Sequence, residues 1–181
     1  MNLPYLTKTP PLGGELKRRI EDFVVEEILE DGTVCELEQL NQNPPQKIAL
    51  AIPDNPNPAK MDQLHVRMEK FNIETTFAIR TLSRGTGGSV KRIGYAGLKD
   101  KRALTCQRVS FWRPDVAKLS KFFVKGLALH HAQWSDKRID LGMLRGNKFT
   151  IVIRNMEGNE EDIRKKIDEF ALQLGQGVPN Y

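Results

Sequence analysis

Apolar and polar positions alternate in several short stretches of this chain, and the alternation predicts strands. Over residues 20–29, Phe23 and Val25 point one way and Val24 and Glu26 the other, before a turn at Asp31-Gly32. Residues 63–70 place Leu64, Val66 and Met68 on one face, and residues 105–112 turn Val109 and Phe111 inward. Residues 90–96, 128–140 and 149–154 read as further strands. Helical spacing appears three times. Residues 74–83 carry Phe77, Ala78 and Leu82 on a buried side, with Asn72 as the cap. A second helix opens at Pro114-Asp115, runs through Val124 and is closed by Gly126. A third, capped by Asn159 and ended by Gly175, aligns Ile163, Ile167, Phe170 and Leu174. Residues 1–14 are rich in Pro and Gly and predict an extended surface segment. Residues 41–60 hold five prolines and four asparagines around one apolar run, so 41–62 reads as a loop or insertion. The glycine-rich stretch 84–90 reads as a flexible connection. The sum is an α+β pattern.

Composition narrows the class. The chain has 181 residues, 39% hydrophobic and 28% charged, enough for one globular domain with a sizeable core, or one and a half small ones. There is no signal peptide, lipidation signal or apolar run of membrane-spanning length, so a cytoplasmic protein with no membrane partner is expected. Cys35 and Cys106 form no Cys-x-x-Cys pair, and His65, His130 and His131 lack zinc-ligand spacing, so neither a disulfide framework nor a metal site is indicated. The adjacent His130 and His131 are expected on opposite faces of a strand, one of them solvated.

Charge is more informative by position than in total. The net charge is +5. Residues 21–38 contain eight acids and no Lys or Arg, whereas residues 91–125 contain ten Lys or Arg against Asp100 and Asp115. A basic surface of that kind steers phosphates. A solvated helix face accounts equally well for Lys118, Lys121 and Lys125.

The basic stretch encloses the chain's most distinctive run, Gly94 to Gln107. Asp100 is a lone carboxylate among Lys99, Lys101, Arg102 and Arg108, after Gly94 and Gly97. Cations favour the ionised acid and attract phosphates, which suits nucleophilic or base chemistry on a nucleic acid. A solvated Lys-Asp-Lys turn is the competing reading.

The run Gly97 to Thr105 with Gln107 resembles the signature of the TruD family of tRNA pseudouridine synthases. Three further motifs follow the family's order. They are Lys17 six residues before Phe23 in Glu21-Asp22-Phe23-Val24-Val25-Glu26-Glu27, then Leu144-Arg145-Gly146-Asn147-Lys148-Phe149, and Gly177-Val178-Pro179-Asn180-Tyr181. The resemblance covers roughly residues 16–181, with a gap near 41–62. It implies the pseudouridine-synthase catalytic fold: a curved mixed or antiparallel sheet with helices on one side and an RNA cleft on the other. It also implies that residues 1–181 are the N-terminal portion of the catalytic domain, incomplete at the C-terminus. The family's inserted domain and last strands are absent, and the missing portion of the enzyme is a candidate partner.

The implied reaction isomerises uridine in tRNA, at position 13 in the family. It breaks the N1–C1′ bond and rejoins the base through C5, with no cofactor and no metal. Asp100 is the implied catalytic acid, as nucleophile or as base. Lys17 would pair with it, although spacing alone reads Lys17 as a surface cation. Phe149 would stack on the target base or, read without the family, start a strand in the core. Asn147 would bond the active-site loop or RNA, or sit in a Gly-Asn turn. Phe23 and Glu27 would shape the pocket wall and support the loop. Lys99, Lys101, Arg102 and Arg108 are candidate phosphate contacts. The alternative class is a non-catalytic RNA-binding fragment in which Asp100 only shapes the turn. A nucleotide-phosphate-binding enzyme is disfavoured because no Gly-Lys-Ser/Thr loop is present.

Overall fold

The alternating stretches fold as strands in the computed structural model, which describes residues 8–40 and 49–175. In chain order the elements are β1 (Glu15–Leu16), a 3-10 turn (Ile20–Asp22), β2 (Phe23–Ile28), β3 (Gln63–Phe71) and α1 (Thr75–Thr86). A 3-10 turn (Val90–Arg92), β4 (Ile93–Tyr95), β5 (Leu104–Trp112), α2 (Val116–Ser120) and β6 (Leu127–Ser135) follow. The last elements are β7 (Gly146–Ile151), β8 (Ile153–Arg154) and α3 (Glu160–Leu174). Of residues 1–14, expected to be extended, the structure describes those from Lys8, and of residues 41–62, expected to be a loop or insertion, those from residue 49. The Gly177–Tyr181 motif lies outside the described residues.

Six strands form one mixed sheet in the order β6-β3-β5-β2-β7, with β4 also on β5. β2 and β4 share one edge of β5. β2 runs parallel along Leu104 to Cys106, and β4 antiparallel along Val109 to Phe111. The shared edge therefore splits near Gln107 and Arg108. Register fixes the two faces, because side chains alternate. Leu64, Val66, Met68, Val109 and Phe111 lie on one face and pack with Ala78, Ile79 and Leu82 of α1 and Leu119 of α2. On the other face Cys106 packs with Leu29 and Cys35 from the segment that follows β2. The two buried cysteines are free. The fold is thus α+β with α1 and α2 on one side of a mixed sheet. No helix among the described residues is long and apolar enough to cross a membrane.

Several boundaries differ from the sequence expectation for identifiable reasons. Residues 20–22 and 90–92 form 3-10 turns before their strands, the second capped by the Ser89 hydroxyl accepting from Lys91 N–H. The 84–90 stretch is not a flexible connection. α1 continues to Thr86 and is closed by Gly87 at φ +70, whose N–H reaches the carbonyls of Ser83 and Arg84. Glu74, not Asn72, is the N-cap of α1, and Phe77 is exposed rather than buried. α2 stops at Ser120 rather than Val124, and Val124 bridges back to Leu127 across Gly126. β6 ends at Ser135. Leu50 is buried in the main core and Ile52 packs on it, so that irregular segment is pinned by its apolar run. Asn159 caps α3 as expected, but α3 contributes no buried residue.

One glycine is required by close approach. A Cβ on Gly94 would collide with the Ile139 carbonyl oxygen, and the Ile139 N–H donates to Ser110 Oγ beside it. Only a residue without a side chain lets the 138–139 backbone cross β4 there.

β1 and β8 form a separate two-stranded ribbon beside the sheet, and Asp22 locks it in place. The Arg154 Nε and Nη2 groups donate to the Asp22 carboxylate at 2.7–2.9 Å, and Arg19 N–H donates to it at 2.8 Å. The Arg154 hydrogen bonds, then the Arg19 N–H, hold the Asp22 carboxyl down at about 2, against the raising effect of burial. A carboxylate lowered by folding stabilises the native state above its unfolded value, and this contribution fades as pH falls through the folded value. Thermal melts of the full-length protein should therefore show Asp22→Asn destabilised at neutral pH. The gap to wild type should close between about pH 4 and pH 2. A pH-independent gap would show that the pair does not set this part of the acid response.

Candidate active site

The loop 96–103 leaves β4 and returns to β5 at the split in the sheet edge, and buried polar groups fix its backbone. Lys70, the next residue after Leu64, Val66 and Met68 on the same face of β3, is fully buried. Its ammonium donates to the Asp100 carbonyl at 2.6 Å and the Lys99 carbonyl at 3.2 Å. Burial pushes Lys70 down to about 8, while the Asp100 charge works the other way. Thr75, at the start of α1, accepts the Lys99 N–H at 3.0 Å. Gln107 Nε2 donates to the Gly97 carbonyl at 3.0 Å. The Lys99 ammonium turns inward and meets Glu27 Oε2 at 2.7 Å, with both side chains almost wholly buried. Glu27 Oε1 accepts the Arg108 N–H at 3.1 Å, which replaces a ladder bond where β2 leaves β5.

With its backbone held, the loop presents the Asp100 carboxylate outward, and its side chain is 43% exposed. Lys17 Nζ lies 2.8 Å from Asp100 Oδ1. The same ammonium sits 3.7 Å from the centroid of the Phe23 ring, a cation–π contact. Phe149 meets Phe23 edge-on, with ring centroids 5.9 Å apart. Val25 and Phe149 are register partners, as are Glu27 and Asn147. Phe149 and Asn147 thus share the face of Phe23, Val25 and Glu27. Phe149 is 52% exposed and is therefore not a core residue. Asn147 is exposed within β7, not in a turn.

Lys17 reaches Asp100 because the ribbon holds it there. It follows β1 directly and has φ +53, a left-handed conformation that Lys rarely adopts. The Arg102 guanidinium donates to the carbonyls of Lys17 at 3.0 Å and Arg18 at 3.3 Å. Two loops 83 residues apart in sequence are therefore tied in both directions.

The four cations expected to contact phosphate separate into different environments. Lys99 is consumed in the buried pair with Glu27. Arg102 is exposed but braces the Lys17 turn. Arg108 lies on the opposite face of β5 from Thr105 and Gln107, beside Asp31 and Arg67. Lys101 remains as an exposed cation next to Asp100. The resemblance implies an RNA cleft on the face of the sheet away from the helices. The register instead puts the Asp100 group on the same face as α1 and α2, beside them rather than behind them.

Sequence reasoning missed Lys70, Thr75 and Gln107. A signal for two of them was present. Lys70 and Gln107 continue the inward phase of strands whose inner faces are otherwise apolar, and an inward polar residue at a strand end demands a partner.

The sequence model of the tRNA pseudouridine synthase D (TruD) family matches residues 2–181. A probable tRNA pseudouridine synthase D of Methanosarcina mazei is 36% identical over 183 residues, covering 98% of this chain and 35% of the relative. One from Methanococcoides burtonii is 32% identical over 181 residues, with the same coverage. The crystal structure of a Methanosarcina mazei protein named as tRNA pseudouridine synthase D superposes with a TM-score of 0.73 at 32% identity. The match covers 96% of this chain and 34% of that one. The chain thus spans about a third of the length of the relatives it matches, and it belongs to the tRNA pseudouridine synthase D (TruD) family.

Proposed function

We propose that this chain carries the catalytic aspartate of a tRNA pseudouridine synthase, with Asp100 as the acid and uridine in tRNA as substrate, position 13 being the family's target. The observation that carries this is the Lys17–Asp100 pair at 2.8 Å, on a loop fixed from behind by buried Lys70, Lys99 and Glu27. A carboxylate that only shaped a turn would not need its backbone pinned by a buried ammonium and by a hydroxyl at a helix start. It would not need a second loop strained to bring a cation to it either. A rigid, half-exposed carboxylate is what attack on C1′ or C6, or removal of a sugar proton, requires. The isomerisation breaks N1–C1′ and forms C5–C1′; the C5 proton leaves to solvent and N1 gains a proton, so atoms and electrons balance with no redox partner.

Phe149 supplies an exposed ring beside Phe23 and Lys17, a platform for a uracil turned out of its stack. Asn147, two register positions further along β2 and β7 and so on the same face, offers an amide to the same pocket. Lys101 is the cation placed to meet a phosphate next to the reacting nucleotide.

Three expected outcomes follow, the first two for the full-length enzyme. Asp100→Asn should abolish pseudouridine formation, measured by tritium release from uridine-labelled tRNA, while tRNA affinity stays within about twofold. Turnover near wild type would remove Asp100 from the chemistry. Lys101→Gln should reduce the slope of log affinity against log salt by roughly 0.7–0.9, the value for one phosphate contact. Lys99→Gln should not be separable in this way, because its partner is Glu27. An unchanged slope for Lys101→Gln would place the RNA elsewhere.

The third outcome concerns surface left open beside the site. β7 is the last strand of the sheet among the described residues, and Ile151 at its end and Val152 after it are exposed. Ile167, Phe170 and Leu172 of α3 are exposed as well. We propose that further polypeptide of the same enzyme covers this edge, in cis or as a second chain. Residues 1–181 expressed alone should self-associate in light scattering and form no pseudouridine, and adding the remaining portion should restore both properties. A monodisperse, active 181-residue protein would refute the covering role.

A further inference from the structure

On the face of the sheet away from Asp100, five potential ligand side chains converge: Glu38, Glu69, Cys106, His130 and His131. Two of them, Glu69 and Cys106, are wholly buried. Glu69 is fully buried, and its two carboxylate oxygens accept the backbone N–H groups of Glu38, Gln39 and Leu40 at 2.6–3.2 Å. Cys106 is buried, and burial pushes its thiol well up, towards the neutral form. His130 Nε2 lies 3.0 Å from Glu69 Oε1 and 3.8 Å from Cys106 Sγ. Its Nε2–H therefore donates to Glu69, which leaves Nδ1 facing outward.

That Nδ1 atom is buried and has no hydrogen-bond partner. Glu38 Oε2 stands 3.4 Å away from it. A bare nitrogen lone pair aimed at a carboxylate is repulsive unless something positive lies between them. A third donor points to the same place: His131 Nε2 lies 2.6 Å from Glu38 Oε1. One ligand atom from each of Glu38, His130 and His131 falls within 4.8 Å of the others.

This convergence is built by a local irregularity. His65 pairs with Gln133 but Arg67 pairs with His130, so β6 carries one extra residue opposite Val66. His131 sits in that bulge at φ +51. The bulge overturns the expectation of opposite faces: the two imidazoles lie on one side, with centroids 4.9 Å apart. A strained non-glycine residue that turns a second imidazole towards the same acid is costly unless the pair is used.

We infer that His130 Nδ1, His131 Nε2 and the Glu38 carboxylate form a site for a divalent transition-metal ion of the Zn²⁺ class. Glu69 orients His130 from behind through the Nε2–H. Two imidazoles and one carboxylate are borderline donors that suit Zn²⁺, and a carboxylate holding the outer nitrogen of a ligating histidine is the usual supporting arrangement. Tetrahedral bonds of about 2.0–2.1 Å set ligand atoms roughly 3.3–3.4 Å apart. The 3.4 Å from His130 Nδ1 to Glu38 Oε2 meets this, whereas His131 Nε2 stands 2.6 Å from the other oxygen, Oε1, so ligation requires the Glu38 carboxylate to turn one oxygen to both imidazoles, within the 4.8 Å that spans the three ligand atoms. His131 also borders a surface cavity of about 410 Å³, which gives an ion access from solvent. Arg67, 3.9 Å from Glu38 Oε1, is a nearby cation that lowers affinity for a second positive charge. Bound metal would clip the segment around Glu38 to the edge strand β6, on the far side of the sheet from the Asp100 chemistry.

The test uses the metal-stripped full-length enzyme. Zn²⁺ is titrated in competition with a chromogenic chelator, and Co²⁺ is followed by its visible d–d absorption. One equivalent should bind, with the intense Co²⁺ band of a tetrahedral site, and zinc should raise the melting temperature. His131→Ala and Glu38→Gln change exposed side chains, so both should fold. Each should weaken zinc binding by at least the roughly 10–100-fold that follows loss of an outer-shell partner. If His131→Ala does not fold, His131→Gln replaces it with a longer polar side chain and the same expected loss. Absence of binding by the wild type would overturn the inference and mean that a proton occupies the gap. Equal affinity in the variants would overturn it too, by placing the metal elsewhere.

Discussion

A lysine ammonium with no exposed surface must be met by oxygen, and in this fold the oxygens belong to the loop that carries Asp100. Lys70 can be buried only if the carbonyls of Lys99 and Asp100 turn back towards β3. The Lys99 ammonium enters the interior beside it, and a second buried cation needs an acid, which Glu27 provides. Glu27 is in turn held by the Arg108 N–H at the point where β2 departs from β5. Each of these groups is costly to bury alone and satisfied only in the company of the others. Removing any one leaves an unpaired charge or carbonyl inside the sheet. The position of the Asp100 carboxylate is thus a consequence of how the sheet edge accommodates buried charge.

Alternation exposed most of the fold in the sequence, because a half-buried strand must alternate. The inward sets Leu64, Val66, Met68 and Val109, Phe111 are the core against which α1 packs. Following the same phase one step further reaches Lys70 and Gln107, the polar residues that hold the loop, and on β2 it reaches Glu27. The information was in the period, but charged residues at inward positions look like strand ends. Other features left no such trace. The 3-10 turns depend on caps such as Ser89, which reads as an ordinary polar residue. The bulge in β6 depends on pairing with β3, and a one-residue slip reverses which face His131 occupies. Asn72 looked like a helix cap because its residue type suits one. It instead occupies a left-handed position at φ +55, before the helix begins.

The Lys17 side of the site shows a different economy. The residue types around Lys17 do not by themselves direct it to Asp100. Its place comes from the β1–β8 ribbon, the Asp22–Arg154 pair and the Arg102 brace. β8, Arg154 and Arg102 come from distant parts of the chain, so the left-handed backbone at Lys17 is over-determined by its surroundings rather than locally preferred. This is why spacing reads Lys17 as one cation in a surface run, whereas the fold makes it the partner of a single carboxylate.

Glu69 and Lys70 draw these threads together. They are neighbours in β3, both charged and both fully buried, and strand geometry sends them to opposite faces. Glu69 gathers the N–H groups of residues 38–40 and orients His130. Lys70 gathers the carbonyls of residues 99 and 100 and sets Asp100. An acid suits the first task because backbone N–H groups are donors, and an ammonium suits the second because carbonyls are acceptors. Exchanging the two would leave both segments facing like partners. The same pair of adjacent positions therefore fixes which face bears the aspartate and which bears the histidines. A single strand end supplies the buried charge on which both depend.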